Sequence, residues 1–183
     1  MRSSTWARST GLTLIELLAA LLVLGLLVLL GLPVLTRSLD TLNADLLRWQ
    51  LHTALSTARN TAIVQNRVVG VCPSQNGRTC SKDWSTGWLL FRLPPGMQGT
   101  GPKAVRNREI LRHHRGTQSA GVSAEASIGR SVMQFRPDGR SSGNNATVRI
   151  CTGNRVQGSV VVSIPGRIRS SRERKFVPCP TAY

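Results

Sequence analysis

The sequence predicts an α+β fold in which one long N-terminal α-helix, half transmembrane and half amphipathic, packs on a C-terminal antiparallel β-sheet head. Three observations predict it: an apolar run long enough for a membrane, a helical spacing of apolar residues beyond that run, and short alternating segments separated by turn signals. The 183 residues suffice for one modest domain with an appendage. We divide them into residues 1–11, 12–35, 36–66 and 67–183.

Residues 12–35 form an apolar run of 24 residues with a single charge, that of Glu16. As a helix the run would be roughly 36 Å long, which exceeds a hydrocarbon core of about 30 Å. Arg2 and Arg8 precede it, which places the N-terminus in the cytoplasm and predicts that the remaining chain is exported. An ordinary signal peptide or a plain signal anchor fits less well, because an ionised carboxylate inside the membrane costs about 2.5–3.5 kcal/mol.

The segment GLTLIE, which begins at Gly11, resembles the class III signal of type IV pilins and pseudopilins. The resemblance implies a leader peptide, residues 1–11, that a prepilin peptidase removes before it methylates the new N-terminus at Leu12. It implies that Glu16, the fifth mature residue, pairs with the N-terminal amine of a neighbouring subunit. Pro33 lacks an N–H donor and stands where pilins commonly bend this helix. The run is then an inner-membrane anchor before assembly and a filament core afterwards.

Beyond the membrane segment, apolar residues recur at spacings of three and four. They are Leu47, Leu51, Leu55, Ala58 and Ala62. This spacing predicts an amphipathic helix over residues 36–66 whose apolar stripe packs on its own domain. Four polar side chains fall mostly off the stripe, namely Arg48, Gln50, His52 and Arg59.

After Asn66 the helical period gives way to short segments that are typical of strands. These are residues 67–72, 87–91, 131–136, 146–151 and 159–164. Turn signals separate them, among them Pro137-Asp138-Gly139, Gly153-Asn154 and Pro165-Gly166. Residues 93–130 are rich in Gly, Ser, Arg and Pro, so we predict a long mobile loop there with one short strand at residues 109–112.

Three segments of the head resemble the GspH/FimT branch of minor pilins. They are VCPS at residues 71–74, WSTGWLLF at residues 84–91 and FRPDGR at residues 135–140. With the N-terminal signal, the similarity extends from Gly11 to about Arg169. The sequence contains no G-x-S-x-G, H-E-x-x-H, P-loop or Rossmann fingerprint, so we predict that the protein is not an enzyme.

The chain contains four cysteines, and an exported location permits disulfides between them. Four cysteines allow three pairings, and we prefer Cys72–Cys80 with Cys151–Cys179 because these pairs are closest in sequence. A zinc site with four cysteine ligands is the alternative. The gap of seven residues between Cys72 and Cys80 is wrong for a C-x₂₋₄-C knuckle, so we predict neither a metal nor a cofactor.

The net charge of +16 lies almost wholly outside the membrane segment, since residues 36–183 carry 22 basic and 7 acidic residues. This charge favours an anionic partner on the exported side. One basic cluster consists of Gly166, Arg167, Arg169, Arg172, Arg174 and Lys175. A secondary basic patch consists of Lys103, Arg106, Arg108, Arg112 and Arg115.

The segment Gly166-Arg167-Ile168-Arg169 follows a strand and a turn. If it is extended, its two arginines point to the same side about 6.6 Å apart, close to the distance between successive phosphates of one DNA strand. The segment resembles the G-R-x-R pattern of FimT-like minor pilins, which are implicated in DNA uptake. That resemblance covers Gly166, Arg167 and Arg169, whereas the remaining cations of the cluster are added on electrostatic grounds. A solvated basic surface without a specific partner is the alternative.

We therefore predict a minor pilin of a type IV pilus that binds double-stranded DNA non-specifically through the basic C-terminal segment during natural transformation. Its other partners would be further pilins, the prepilin peptidase and, before assembly, the inner membrane. The head would lie in the periplasm before assembly and at the cell surface afterwards. One alternative is a structural pseudopilin of a type II secretion system, resembling GspH. Another is a basic adhesin-like subunit that contacts anionic surfaces. The charged C-terminal end distinguishes these functions, because the N-terminal half is common to pilins and pseudopilins.

Overall fold

The computed structural model describes residues 13–93, 105–106, 109–116, 119, 121–127, 131–143 and 145–179, with only the backbone of residues 33–34. Four residues that we predicted to be functional, Gly11, Leu12, Lys103 and Arg108, lie outside these ranges. The chain divides into two compact units, one up to Ser38 and one from Leu39 onward.

A single α-helix, α1, extends over Leu14–Val64 and contributes to both units. In the first unit its side chains are exposed throughout the described positions, and Leu29 and Leu30 are each 72% exposed. By length and composition the helix contains one window apolar enough to cross a membrane, with a mean hydropathy of 2.9. The helix continues through Pro33.

Among its described residues, the second unit contains eight strands in two antiparallel sheets. The first sheet has the order β3-β2-β1-β5 and consists of β1 (Val69–Pro73), β2 (Gly87–Arg92), β3 (Ile110–Arg115) and β5 (Met133–Phe135). The second has the order β4-β6-β7-β8 and consists of β4 (Val122–Ala126), β6 (Ala146–Thr152), β7 (Arg155–Val162) and β8 (Ile168–Arg172). A short 3-10 helix, Trp84–Thr86, precedes β2.

The apolar stripe of α1 lies in the core of the second unit, as its spacing predicts. The stripe residues are 0–1% exposed and comprise Ala44, Leu47, Leu51, Leu55, Ala58 and Ala62. They belong to one cluster with buried side chains of both sheets, among them Trp88 and Phe135 of the first sheet and Ile150 and Val160 of the second. Burial of this apolar surface holds the helix on the sheets.

The predicted α+β fold class is confirmed, but the structure has more strands than the sequence indicates. Within the predicted loop over residues 93–130, β3 is longer than expected and β4 is an additional strand. β4 is held by Val122 and Ala124, which are buried, and by full pairing with β6. The basic segment after the β7 turn is also a strand, β8, which pairs with β7 from Val162↔Ile168 to Gly158↔Arg172.

The structure forms both disulfides in the pairing that we preferred. Cys72–Cys80 closes a loop after β1 with a Cα–Cα distance of 5.6 Å, and Cys151–Cys179 joins the tail to β6 with 6.1 Å. Backbone hydrogen bonds hold the same tail, because the N–H of Val156 donates to the carbonyl oxygen of Val177 over 3.0 Å. Within the described residues no group of three potential metal ligands occurs.

Candidate nucleic-acid interface

The turn between β7 and β8 is built on Gly166. The N–H of Gly166 donates to the carbonyl oxygen of Ser163 over 2.8 Å, and the N–H of Ser163 donates to that of Arg167 over 3.0 Å. Gly166 has a φ of +80°, which L side chains rarely adopt. A Cβ at this position would lie 1.8 Å from the carbonyl oxygen of Gly139. Only glycine therefore fits where the turn leads into β8.

Exposure alternates from Arg167, which directly precedes β8, to Ser170 within the strand. Arg167 and Arg169 are exposed, whereas Ile168 is half-buried and packs against the core. Ser170 is half-buried as well and accepts a hydrogen bond from the buried guanidinium of Arg48. Arg169 is therefore on the extended strand β8 and Arg167 directly precedes it, and both residues are exposed.

Arg172 differs from the two arginines before it, because its guanidinium forms an ion pair with the carboxylate of Asp45 in α1. The same carboxylate accepts from Arg48, with 3.3 Å between Nη2 and Oδ1. Arg172 therefore ties β8 to α1 and carries a charge that is partly compensated. Over the described ranges, neither Arg167 nor Arg169 forms an ion pair with an acidic side chain.

The last two cations of the cluster follow β8. Arg174 and Lys175 are both exposed. The carbonyl oxygen of Arg174 accepts from Nη2 of Arg155 over 3.3 Å, and the N–H of Lys175 donates to Oε1 of Glu173 over 3.3 Å. The tail thus brings Arg155 of β7 close to this end of the cluster. Sequence spacing did not reveal this neighbour.

A polar pocket joins α1 to the β7–β8 turn, and we call it the arginine pocket. It has a volume of about 390 Å³ and is lined by His52, Ser56, Arg59, Asn60, Arg167 and Ile168. Nε of Arg59 donates to the carbonyl oxygen of Gly139 over 2.9 Å. The spacing of the four helix residues places them on one flank of α1, but the sequence did not indicate that Arg167 faces this flank.

The described part of the secondary basic patch belongs to the other sheet. Arg112 and Arg115 are exposed on β3, where they pair with Leu90 and Gly87 of β2. Arg106 is exposed before β3. β3 and β8 lie in different sheets, so the two basic clusters are separate surfaces.

Arg112 also lines an apolar pocket of about 280 Å³ on the other flank of α1, together with Trp49, Trp88 and His114. The rings of His114 and Trp88 are stacked with 4.4 Å between their centroids. Burial lowers the pKa of His114 below its ordinary value, and the nearby charges of Arg112 and His113 lower it further. This pocket was not predicted from the sequence.

The family described as Type II transport protein GspH matches residues 50–166, more than half of the chain. This chain belongs to the GspH family. The matched region contains the end of α1 and both sheets up to Gly166, so the GspH match ends just before the two exposed arginines. The predicted membership of this family of minor pilins and pseudopilins is confirmed.

Two solved structures share the GspH-family fold of this chain. One is the type IV minor pilin FimU of Pseudomonas aeruginosa, with 20% identity, a TM-score of 0.54, and coverage of 73% of this chain and 91% of that chain. The other is the minor pseudopilin EpsH of the type 2 secretion system of Vibrio cholerae, with 12% identity, a TM-score of 0.50, and coverage of 73% and 99%. No curated protein matches the sequence. An apolar N-terminal helix in a protein of this family fits anchoring in the inner membrane.

Proposed function

We propose that this GspH-family protein is a minor pilin of a type IV pilus that holds double-stranded DNA by its backbone during natural transformation. The observation that carries the proposal is the pair of exposed arginines, Arg167 and Arg169, which have no acidic partner in the described residues. Arg169 belongs to the edge strand β8 and Arg167 directly precedes it, and a long polyanion can approach an edge strand without displacing other elements.

The chemistry of arginine suits this role. Its planar guanidinium donates two parallel hydrogen bonds to a phosphate, and it stays charged at every physiological pH. Alternate residues of an extended strand are about 6.6 Å apart, so Arg167 and Arg169 match neighbouring phosphates. Interactions of this kind read no bases, and the binding is therefore non-specific and falls steeply with salt.

We further propose that the N-terminal segment assembles the subunit. Prepilin peptidase would cleave after Gly11 and methylate Leu12, and Glu16 would then pair with the amine of a neighbouring pilin. Before assembly the N-terminus would be cytoplasmic and the head periplasmic, and after assembly the head would be carried on the filament surface. The exposed apolar side chains of α1 up to Ser38 support this proposal, because a membrane or neighbouring helices can cover them.

The test is duplex DNA binding by the full-length protein in a neutral detergent, measured at several salt concentrations. We expect Arg167→Gln/Arg169→Gln to weaken binding and to lower the slope of log K against log salt by about 0.9 for each phosphate that the variant no longer neutralises. The matched control is Arg112→Gln/Arg115→Gln, which removes the same charge from the other sheet. The proposal fails if the wild-type protein does not bind DNA at low salt. A control pair that weakens binding as much as the test pair would contradict the site.

A second candidate function is a structural pseudopilin of a type II secretion system, which the match to the Type II transport protein GspH family favours. Deletion of the gene in its native host separates the two functions. If the protein is a minor pilin for DNA uptake, the deletion abolishes transformation and leaves secretion intact. The wild-type gene then restores transformation, and the gene for Arg167→Gln/Arg169→Gln does not. Loss of exoprotein secretion, restored equally by both genes, would identify the pseudopilin.

A further inference from the structure

We infer that the arginine pocket is a phosphate-binding subsite that extends the DNA-binding surface from β8 onto α1. The inference rests on the proposed function and names an additional residue, Arg59, that touches the DNA backbone. Its ligand would be one phosphodiester group next to the one held by Arg169, with Arg167 shared between the two.

Arg59 is held in position by the backbone of two turns. Its Nε donates to the carbonyl oxygen of Gly139 over 2.9 Å. A Cβ built on Gly139 would lie 3.4 Å from Nε and from Nη2 of Arg59, and one on Gly166 would lie 3.1 Å from Nε. The guanidinium therefore rests against two glycines, and the hydrogen bond at Nε leaves its Nη donors for a ligand. A guanidinium fixed in this way loses little conformational entropy when it binds an anion.

The other lining residues provide donors and lack negative charge. Arg167 is a second arginine in the lining, and Ser56, Asn60 and His52 are lining residues whose side chains contain a hydroxyl, an amide and an imidazole. No Asp or Glu is among the lining residues in the described part of the chain. Two like charges that line one pocket repel each other, and an anion between them removes this repulsion. A phosphate with several acceptor oxygens satisfies such a set of donors.

The experiment compares Asn60→Glu with Thr57→Glu in the full-length protein. Both positions are on α1, three residues apart, but Asn60 lines the arginine pocket whereas Thr57 lines the apolar pocket on the other flank. The two variants have equal net charge, so the added glutamate weakens the long-range electrostatic attraction of DNA equally in both. We expect Asn60→Glu to bind a DNA duplex about tenfold more weakly than Thr57→Glu at 50 mM salt, with a salt slope lower by about 0.9.

A second measurement reports on the arginines directly. In protein with ¹⁵N-labelled arginine, a short DNA duplex should shift the Nε–H resonances of both Arg59 and Arg167 in the wild type and in Thr57→Glu, whereas in Asn60→Glu the resonance of Arg59 should no longer shift. Circular dichroism and thermal unfolding show whether each variant is folded. We expect Asn60→Glu to be at least as stable as the wild type, because its carboxylate can pair with the two guanidiniums.

The outcomes separate this inference from the proposed function. Equal binding by the two glutamate variants, while Arg167→Gln/Arg169→Gln still weakens binding, overturns the subsite and leaves the proposed function intact. No binding of DNA by the wild type overturns both. If Asn60→Glu binds DNA as well as Thr57→Glu but no longer co-purifies with a neighbouring pilin, the pocket takes a protein carboxylate and the phosphate assignment is wrong.

Discussion

Gly166 occupies a position where three chain segments meet: the β7–β8 turn, the turn at Gly139, and the side chain of Arg59. We expect Gly166→Ala to destabilise the protein by about 3 kcal/mol or more, because the added methyl group is strained at this φ and collides with a backbone carbonyl. Urea unfolding at pH 7 measures the free energy of unfolding.

The control for this change is Gly153→Ala. Gly153 also has a positive φ, +55°, but a Cβ there would meet nothing within 4 Å. Gly153→Ala should lower the free energy of unfolding by only about 1 kcal/mol, which is the cost of a side chain at a positive φ without a collision. Equal destabilisation by the two substitutions would show that the close approach at Gly166 contributes nothing.

His114 should make the stability of the protein depend on pH. Its pKa is lowered from the ordinary value of 6.5, first by burial and then by Arg112 and His113, so the unfolded chain takes up the proton before the folded one. The contribution of neutral His114 to stability is therefore fully present above pH 6.5. It is lost as the pH falls from there through the lowered pKa. We expect His114→Phe, which keeps an aromatic ring beside Trp88, to lose less stability between pH 7 and pH 5 than the wild type. Urea unfolding at both values checks this, and an identical loss would contradict it.

The sequence does not predict which side chains contact each other when they are far apart along the chain. It places Gly166 at a turn and Arg169 on an extended segment, as the structure does, because those features are local. It does not pair Arg172 with Asp45, which precedes it by 127 residues, or bring Arg59 to Gly139 across 80 residues. Such interactions depend on how α1 packs on the sheets, and a single sequence has no local signal for that packing.

At the scale of elements, the strands with alternating apolar residues were predictable, whereas β3 was predicted only in part, at residues 109–112, and β4 and β8 were not predicted as strands. β3 has the sequence ILRHHR, which lacks regular alternation, and β4 buries only small apolar residues. β8 contains two arginines and two serines among five residues. All three lie at the edges of their sheets, where one side of the strand has no neighbouring strand among those described. Pairing with a better-defined strand, rather than their own composition, makes them extended.

The two disulfides should contribute unequally to stability. In the chain-entropy view the contribution grows with loop length, so the separation of 28 residues in Cys151–Cys179 gives about 3.5 kcal/mol and that of 8 in Cys72–Cys80 about 2.5 kcal/mol. Urea unfolding of the two paired Cys→Ser variants, Cys151→Ser/Cys179→Ser and Cys72→Ser/Cys80→Ser, measures each loss. If the shorter loop proves the more stabilising, loop entropy does not govern these bonds.

For the whole molecule, the family and the fold class followed from a few specific segments, whereas the binding function of the head did not. The segment WSTGWLLF at residues 84–91 lies within the GspH match, whereas the segment at Gly11 lies before it and stays a prediction. The match ends at residue 166, just before β8. A general family signal therefore cannot distinguish a pilus subunit from a secretion subunit, and the charged surface beyond the match has to be tested for itself.

Assembly of the whole subunit should depend on Glu16. We expect Glu16→Ala to reach the membrane normally but to be missing from filaments, because it lacks the carboxylate that would pair with a neighbour's amine. The matched control is Leu18→Ala, a truncation two residues away in the same exposed stretch of α1. Immunoblots of membranes and of sheared filaments from the native host measure both. Normal incorporation of Glu16→Ala would rule out the amine-pairing role.

The disulfide between Cys151 and Cys179 would also affect how the head bears force if it holds DNA as we propose. A filament that draws DNA inward would load β8 through Arg167 and Arg169, and an edge strand is held by hydrogen bonds to one neighbouring strand only. Here the tail beyond β8 is joined covalently to β6, an interior strand of the same sheet. A pull on the two arginines would therefore be shared between β7 on one side and the disulfide-anchored tail on the other.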